Sequence, residues 1–234
     1  MLRFMLATRN RHKLGEFALI LTPYEVVAMP GGIVLPPEGT TSFAANAHAK
    51  AVALREAVLR ETALREAVTA SRSADDQATE ADARPVAAGD LPDFFIADDS
   101  GLEVEALGWA PGVMSSRYCG REGDDAANIA KLLHELRGRL HEDERRARFV
   151  CAVACVTLDA RHYEVRGEWW GHIALAPRGK GGFGYDPVFV PNGSTATVAE
   201  WPAAEKNEAS HRARAGRALV ARLRREGALA DARS

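Results

Sequence analysis

The chain has 234 residues, 47% of them hydrophobic and 26% charged, with a net charge of −2. No stretch approaches the roughly 20 apolar residues of a membrane span, and a near-balanced charge argues against a general nucleic-acid binder, which needs a dominant positive surface. Three cysteines, Cys119, Cys151 and Cys155, are odd in number and two fall in one strand-like run, which speaks against a disulfide scaffold or zinc site and for a reducing cytoplasm.

An apolar strand over 3–8 runs into Thr8, Asn10 and Lys13, after which Leu14, Phe17, Ala18 and Leu21 recur at helical spacing and predict a helix over 13–21. Strand, polar turn, helix is the order that places backbone N–H groups and a lysine at a phosphate. The apolar run is too short for a secretory signal, and no small-residue cleavage site follows it. A strand near 25–29 precedes a long helix over 44–69. Inside that helix, residues 53–58 and 63–68 both read Ala-Leu-Arg-Glu-Ala-Val. Glu56–Arg60 and Glu61–Arg65 pair at i,i+4 with the acid first, the favourable order. Leu54, Val58, Leu64 and Val68 share an arc of roughly 120° and form the expected apolar face. Ser71 to Asp93, rich in Ala, Asp, Ser and Pro and lacking a periodic apolar face, reads as a mobile loop.

The next strand, 94–98, carries the most informative residues. Phe94-Phe95-Ile96 leads directly into Ala97-Asp98-Asp99-Ser100-Gly101-Leu102. Burying two carboxylates is costly unless a cation or donors offset it, and paired Asp at the end of a strand suits Mg²⁺, which prefers carboxylate oxygens and keeps waters for a phosphate-bearing ligand. The same residues also suit a loop in which Asp98 and Asp99 cap the next turn.

A helix over 125–139 follows, then strands at 147–158 and 162–175 joined by Asp159-Ala160-Arg161, a short strand at 188–190 and a terminal helix from about 210. Between them, Gly179-Lys180-Gly181-Gly182-Phe183-Gly184-Tyr185-Asp186 matches G-x-G-x-x-G. A strand rather than a helix comes next, however, so the dinucleotide reading fails on context. Four glycines in six positions still let backbone approach a ligand and point N–H groups at an anion. Phe183 and Tyr185 offer faces for stacking on a base. Ser210 is a natural cap for the last helix, and Lys206, His211 and Arg212 cluster as donors around its start, where anions are favoured. The pattern as a whole predicts an α/β protein with a mixed sheet and a ligand cleft near strand ends.

In order along the chain, Thr8-x-Asn10-x-x-Lys13, Phe43-x-x-Asn46-Ala47-x-x-Lys50-Ala51, Ala97-Asp98-Asp99-Ser100-Gly101-Leu102-x-Val104, Ala110-Pro111-Gly112-Val113-x-Ser115-x-Arg117-Tyr118, Gly181-Gly182-Phe183-Gly184-Tyr185-Asp186-Pro187 and Ser210-His211-Arg212 resemble the inosine triphosphate pyrophosphatase (Ham1-like) family. The resemblance implies a long bent mixed sheet flanked by helices, with two lobes, a central nucleotide cleft and a homodimer. It implies a single domain over 1–234, with an atypical insertion at about 55–93. It also implies Mg²⁺-dependent hydrolysis of ITP, dITP or XTP to the monophosphate and pyrophosphate. Asp99 is then the general base and a metal ligand, with Asp98 beside it, and Ser100 contacts substrate. The turn from Thr8 through Arg9, Asn10, Arg11 and His12 to Lys13 holds phosphates together with the glycine loop. Phe183, Gly184, Tyr185 and Asp186 enclose the base, and Lys206, His211 and Arg212 present donors to its edge.

Three departures stand out. Ala45 occupies a place where the family pattern carries Glu, which makes Glu38, the nearest remaining carboxylate, a candidate metal ligand. Arg9 replaces a small residue, and must point away from the phosphates or lend them charge. The connection between Lys50 and Phe94 is much longer than the family's. Two other readings are a Maf-like pyrophosphatase of different base preference, against which Ser210-His211-Arg212 and the glycine loop speak, and a nucleotide-binding protein without catalysis.

Overall fold

The computed structural model of the protein describes residues 1–71 and 91–229. Most of the loop expected over 71–93 lies outside the described residues.

The sheet has six strands. β1 (Arg3–Leu6) pairs in parallel with β2 (Glu25–Ala28) and with β3 (Phe94–Val104), and β4 (Arg146–Thr157), β5 (His162–Ile173) and β6 (Phe189–Pro191) continue antiparallel in the order β2-β1-β3-β4-β5-β6. Among the described residues five α-helices accompany it: α1 (Arg11–Ile20), α2 (Phe43–Ser71), α3 (Asp125–Glu135), α4 (Ala203–Ala209) and α5 (His211–Arg225). The mixed α/β sheet with flanking helices agrees with the sequence reading.

Alternation along β3 decides what each sheet face meets. Phe94 and Ile96 join Phe17 of α1 and Leu219 and Leu223 of α5 in one core. Phe95 and Ala97 face the other way, onto Ala47, Ala51, Leu54 and Val58 of α2. At the far end of the strand, Leu102 and Val104 enter a separate core with Leu132, Phe149, Trp169 and Phe189. Asp98 to Gly101 lie between these apolar regions, where the chain is polar and small.

β3 does not stop at Asp98. It runs for eleven residues, with Asp98 opposite Val153, Asp99 opposite Ala152 and Gly101 opposite Val150. Both faces supply the donors that buried carboxylates require: Lys13 and Arg212 meet Asp98 on the α1/α5 face, and Asn46 meets Asp99 on the α2 face. A Cβ on Gly101 would sit 2.5 Å from Ser115 Oγ and 2.6 Å from the Gly112 carbonyl oxygen. The absent side chain lets the turn 112–117 close onto the strand, where Ser115 Oγ accepts from the Leu102 N–H at 2.9 Å.

Helix ends follow capping chemistry. Asn10 Oδ1 accepts from the N–H groups of His12 (2.9 Å) and Lys13 (3.4 Å) and starts α1 two residues earlier than its apolar spacing suggests. α3 ends at Glu135 rather than at 139, and Gly138 beyond it takes φ +87°. Ser210 caps α5 through the Ala213 N–H at 3.2 Å, as its sequence position predicts. α4, which carries Lys206, has no apolar stripe to announce it.

α2 is the long rod expected, 29 residues, but its apolar face is only half used. Leu54 and Val58 are fully buried, whereas Leu64 is 62% exposed and Val68 54%. The two hexapeptide copies are identical in sequence, and burial along the helix ends at Thr62, so position relative to the sheet separates them. No helix among the described residues is long and apolar enough to cross a membrane.

Candidate active site

A cavity of about 440 Å³, within the usual size range of small-molecule sites, is lined by residues of α1, β3, α4 and α5 and of the loops beside them. From α1 and the turn before it come Asn10, His12 and Lys13. Asp99 and Ser100 of β3, with Glu38, form a second wall. Phe183, Gly184, Tyr185 and Asp186 face them, and Lys206, His211 and Arg212 complete the lining.

Thr8, Arg9, Arg11 and Asp98 are not part of the lining. Thr8 Oγ1 accepts from the Asn10 N–H at 3.1 Å and so shapes the turn. Arg9 donates to the carbonyl oxygens of Gly31 (3.4 Å) and Ile33 (3.0 Å), which turns its charge away from the cavity. Arg11 is exposed on the first turn of α1. Ala45, the conspicuous departure in sequence, is likewise exposed and outside the lining.

The two aspartates have different tasks because adjacent strand residues point to opposite faces. Asp98 is buried on the α1/α5 face, where its Oδ2 lies 2.9 Å from Lys13 Nζ and 3.4 Å from Arg212 Nε and accepts from Ser100 Oγ at 3.0 Å. Burial alone would raise its pKa, but the charges of Lys13, Arg212 and Lys50 outweigh it and hold the carboxyl well below the usual range. Buried and absent from the cavity lining, with its oxygens engaged by cations and a hydroxyl, Asp98 does not suit the role of metal ligand considered from sequence. Asp99 looks into the cavity. Its Oδ2 accepts from Asn46 Nδ2 at 2.8 Å, and burial together with the nearby Glu38 charge pushes its pKa up, against the opposing charge of Lys50.

Lys50 Nζ donates to Glu38 Oε1 at 2.8 Å and to the Asp98 carbonyl oxygen at 2.9 Å, and lies 3.9 Å from Asp99 Oδ1. Burial favours the neutral amine, yet Asp98, Asp99 and Glu38 raise its pKa and keep it charged. Among the described residues no group of three or more His, Cys, Asp or Glu is poised to hold a metal ion. Glu38 and Asp99 nevertheless form a two-carboxylate set on one cavity wall. That donor set fits a small hard cation which takes its other ligands from water and phosphate.

At the other end, Phe183 is a half-buried plate. Lys206 Nζ lies 4.2 Å and Arg212 Cζ 5.3 Å from its centroid, and the His12 ring stands near-parallel at 6.2 Å. Tyr185 is committed elsewhere: it is buried, and its hydroxyl donates to the Ser115 carbonyl oxygen at 2.9 Å. The glycine loop does not offer its N–H groups freely either. Phe183 N–H donates to Asp186 Oδ2 (2.9 Å) and Gly184 N–H to Asp125 Oδ2 (2.7 Å). Asp186 in turn holds Lys206 Nζ at 2.6 Å. His211 is buried and stacked on Phe149 at 4.9 Å, its pKa driven well below the ordinary value by burial and by the charges of Arg212 and Lys206. Among the described residues its Nδ1, which is buried, has no hydrogen-bond partner.

Sequence reasoning passed over Asn46 and Lys50 as site residues, although their i,i+4 spacing places them on one face of α2. It also passed over Asp125 and Glu16, whose partners are remote in the chain and leave no local trace.

Comparison with known proteins gives a consistent result. The Ham1 family profile matches residues 4–222. A dITP/XTP pyrophosphatase of Nocardia farcinica is 42% identical over 238 aligned positions, covering 99% of this chain and 98% of that protein. A dITP/XTP pyrophosphatase of Mycobacteroides abscessus is 52% identical over 129 residues, 55% of this chain and 62% of that protein. The solved structure of a HAM1 protein from Coxiella burnetii matches with a TM-score of 0.72 at 33% identity, covering 96% of this chain and all of that one.

Proposed function

The chain belongs to the Ham1 family, and we propose that it hydrolyses non-canonical purine nucleoside triphosphates, dITP and XTP foremost and ITP with them, to the nucleoside monophosphate and pyrophosphate. The observation that carries this reading is one cavity lined by two carboxylates, Asp99 and Glu38, by the cations Lys13, Lys206 and Arg212, and by the aromatic plate of Phe183. Such a cavity suits a polyphosphate joined to a flat base. The whole chain acts as one domain, with the extension of α2 and the residues up to 93 as an insertion, and the family resemblance further supports a homodimer working in the cytoplasm.

Lys13, fixed at the start of α1 by the Asn10 cap, presents its ammonium to phosphate oxygens while Asp98 holds it in place. Glu38 and Asp99 would hold Mg²⁺, which when bound neutralises polyphosphate charge and favours departure of pyrophosphate. Asp99 takes the proton from the water that attacks the α-phosphorus. Ser100 contacts substrate from the same strand.

Base choice falls to the far end. Phe183 stacks on the purine. Hypoxanthine and xanthine present a keto oxygen where adenine presents an amino donor, so donors from Lys206, Arg212 and neutral His211 would meet a donor in adenine and leave buried groups unpaired. Guanine shares the keto group, and its exclusion rests on the shape around its 2-amino substituent. Because neutral His211 lines the cavity, His211→Ala should lower the dITP-over-dATP ratio of kcat/KM by about 10- to 100-fold, the worth of one buried hydrogen bond. Steady-state kinetics on both substrates checks this, and an unchanged ratio would free His211 from base reading.

The decisive assay incubates the protein with Mg²⁺ and dITP, XTP, dATP or dGTP in turn. Pyrophosphate should appear with dITP and XTP and far more slowly with the others. Orthophosphate as the first product, or equal rates for all four, would overturn the assignment.

A further inference from the structure

Glu38 stands in the stretch between β2 and α2, outside any helix or strand, and its contacts come from two separate elements. From α2, Lys50 Nζ donates to Glu38 Oε1 at 2.8 Å, while the Asn46 side chain accepts from the Gly39 N–H at 2.8 Å and donates to the Gly39 carbonyl oxygen at 3.2 Å. α2 therefore sets where Glu38 sits. The other contact comes from Arg117, the last residue of the turn 112–117, whose Nη1 lies 3.6 Å from Glu38 Oε2 and 3.9 Å from Glu122 Oε2. Its Nη2 makes a long contact of 3.5 Å with the Glu38 carbonyl oxygen. Ser115 and the bare Cα of Gly101 seat that turn on β3, so the guanidinium reaches the wall from behind, and Arg117 itself does not line the cavity. Two carboxylates, Glu38 and Asp99, thus face two cations, Lys50 and Arg117.

We propose that Arg117 is a counter-ion of Glu38 that limits how tightly this wall takes a free divalent cation, so that the cation enters with the nucleotide rather than before it. The inference rests on the proposed reading of Glu38 and Asp99 as the pair that holds Mg²⁺. Distances separate the tasks of the two cations beside Glu38. Lys50 makes a close hydrogen bond from a buried position, which suits orienting the carboxylate, whereas Arg117 at 3.6 Å is an ion pair too long for a hydrogen bond and its side chain is 23% exposed. Charge at that distance still repels an incoming divalent cation. A wall already neutralised by its own lysine and arginine holds a bare ion weakly, but polyphosphate oxygens bring the negative charge that it lacks.

Arg117→Gln removes the charge and leaves Lys50 and Asn46 to orient Glu38. With no nucleotide present, this variant should bind Mn²⁺, a paramagnetic stand-in for Mg²⁺, about three- to tenfold more tightly than wild type in an electron paramagnetic resonance titration. Added Mn²⁺ should raise its melting temperature more than that of wild type. Arg117→Lys keeps the charge and should stay within about twofold of wild type. Melting without metal reports whether each variant is folded, and Arg117→Met, also neutral, replaces Arg117→Gln under the same criteria if the glutamine does not fold. Asp99→Asn, alone and combined with the neutral variant, locates the probe. Unchanged Mn²⁺ binding in Asp99→Asn would put the cation elsewhere and refute the reading of this wall. Weakened binding there, beside a folded neutral variant whose affinity is lower than that of wild type or within about twofold of it, would refute the role of Arg117 alone. Binding undetectable in both wild type and the neutral variant would refute it equally, while pyrophosphate release from dITP tests the proposed activity separately.

Discussion

Asp99→Asn will abolish turnover and leave the fold intact. The amide has the shape of the carboxylate, and its oxygen can still accept from Asn46 Nδ2, the 2.8 Å contact that orients the side chain. What it lacks is basicity. Removing a positioned general base costs on the order of 10²–10⁴ in rate, and Asp99 is also one of two carboxylates proposed to face the cation, so the loss should reach the upper part of that range. Burial and the Glu38 charge raise its pKa in the folded protein, and the sign has two consequences. The acid limb of the kcat/KM profile should fall above the ordinary aspartate value of about 3.9. Ionisation of Asp99 is disfavoured by folding, so as pH rises from the unfolded toward the folded pKa its charge subtracts from stability. At neutral pH the variant should therefore melt at the wild-type temperature or slightly higher. Pyrophosphate release from dITP with Mg²⁺, followed beside thermal melting, tests both halves. Turnover within tenfold of wild type would remove Asp99 as the base.

The local periodicities of β1, α1, α2, β4 and β5 were legible because each element carries its own apolar repeat. β3 was legible only to Asp98. Its continuation through Asp99, Ser100 and Gly101 depends on Lys13, Arg212 and Asn46, which reach the strand from other elements and mark nothing in its own sequence. The second Ala-Leu-Arg-Glu-Ala-Val copy shows the converse: a pattern that reads as a core face ends in solvent once the helix has passed the last side chains that cover it.

At the site, residue types were readable and their partners were not. Glycine-loop N–H groups suggested an anion cradle, but Asp186 and Asp125 of the protein itself already accept from two of them. Arg9 was free in sequence to aid the phosphates, whereas the carbonyl oxygens of Gly31 and Ile33 draw it aside. Lys206, His211 and Arg212 formed one cluster on paper. In the fold the two cations are held by Asp186, Asp98 and Glu16, while the imidazole nitrogen stays unpartnered.

Asp98→Asn should produce the largest loss of stability among single changes at the site. The carboxylate is only 1% exposed and answers two cations, Lys13 and Arg212, besides the Ser100 hydroxyl. An amide leaves Lys13 without its counter-charge and Arg212 with Glu16 alone, and removing one partner of a buried pair costs about 3–5 kcal/mol. That is a large share of the roughly 5–15 kcal/mol that holds a typical domain folded. Although burial by itself would raise the Asp98 pKa, the surrounding cations carry it well below the unfolded value of about 3.9. A depressed folded pKa means that the linked stability is complete above the unfolded value and drains away as pH falls below it toward the folded one. The gap between wild type and Asp98→Asn should accordingly be widest near neutrality and narrow below about pH 4. Urea midpoints at pH 7 and pH 3.5 measure it directly. Equal midpoints at pH 7 would mean that Lys13 and Arg212 are satisfied without Asp98.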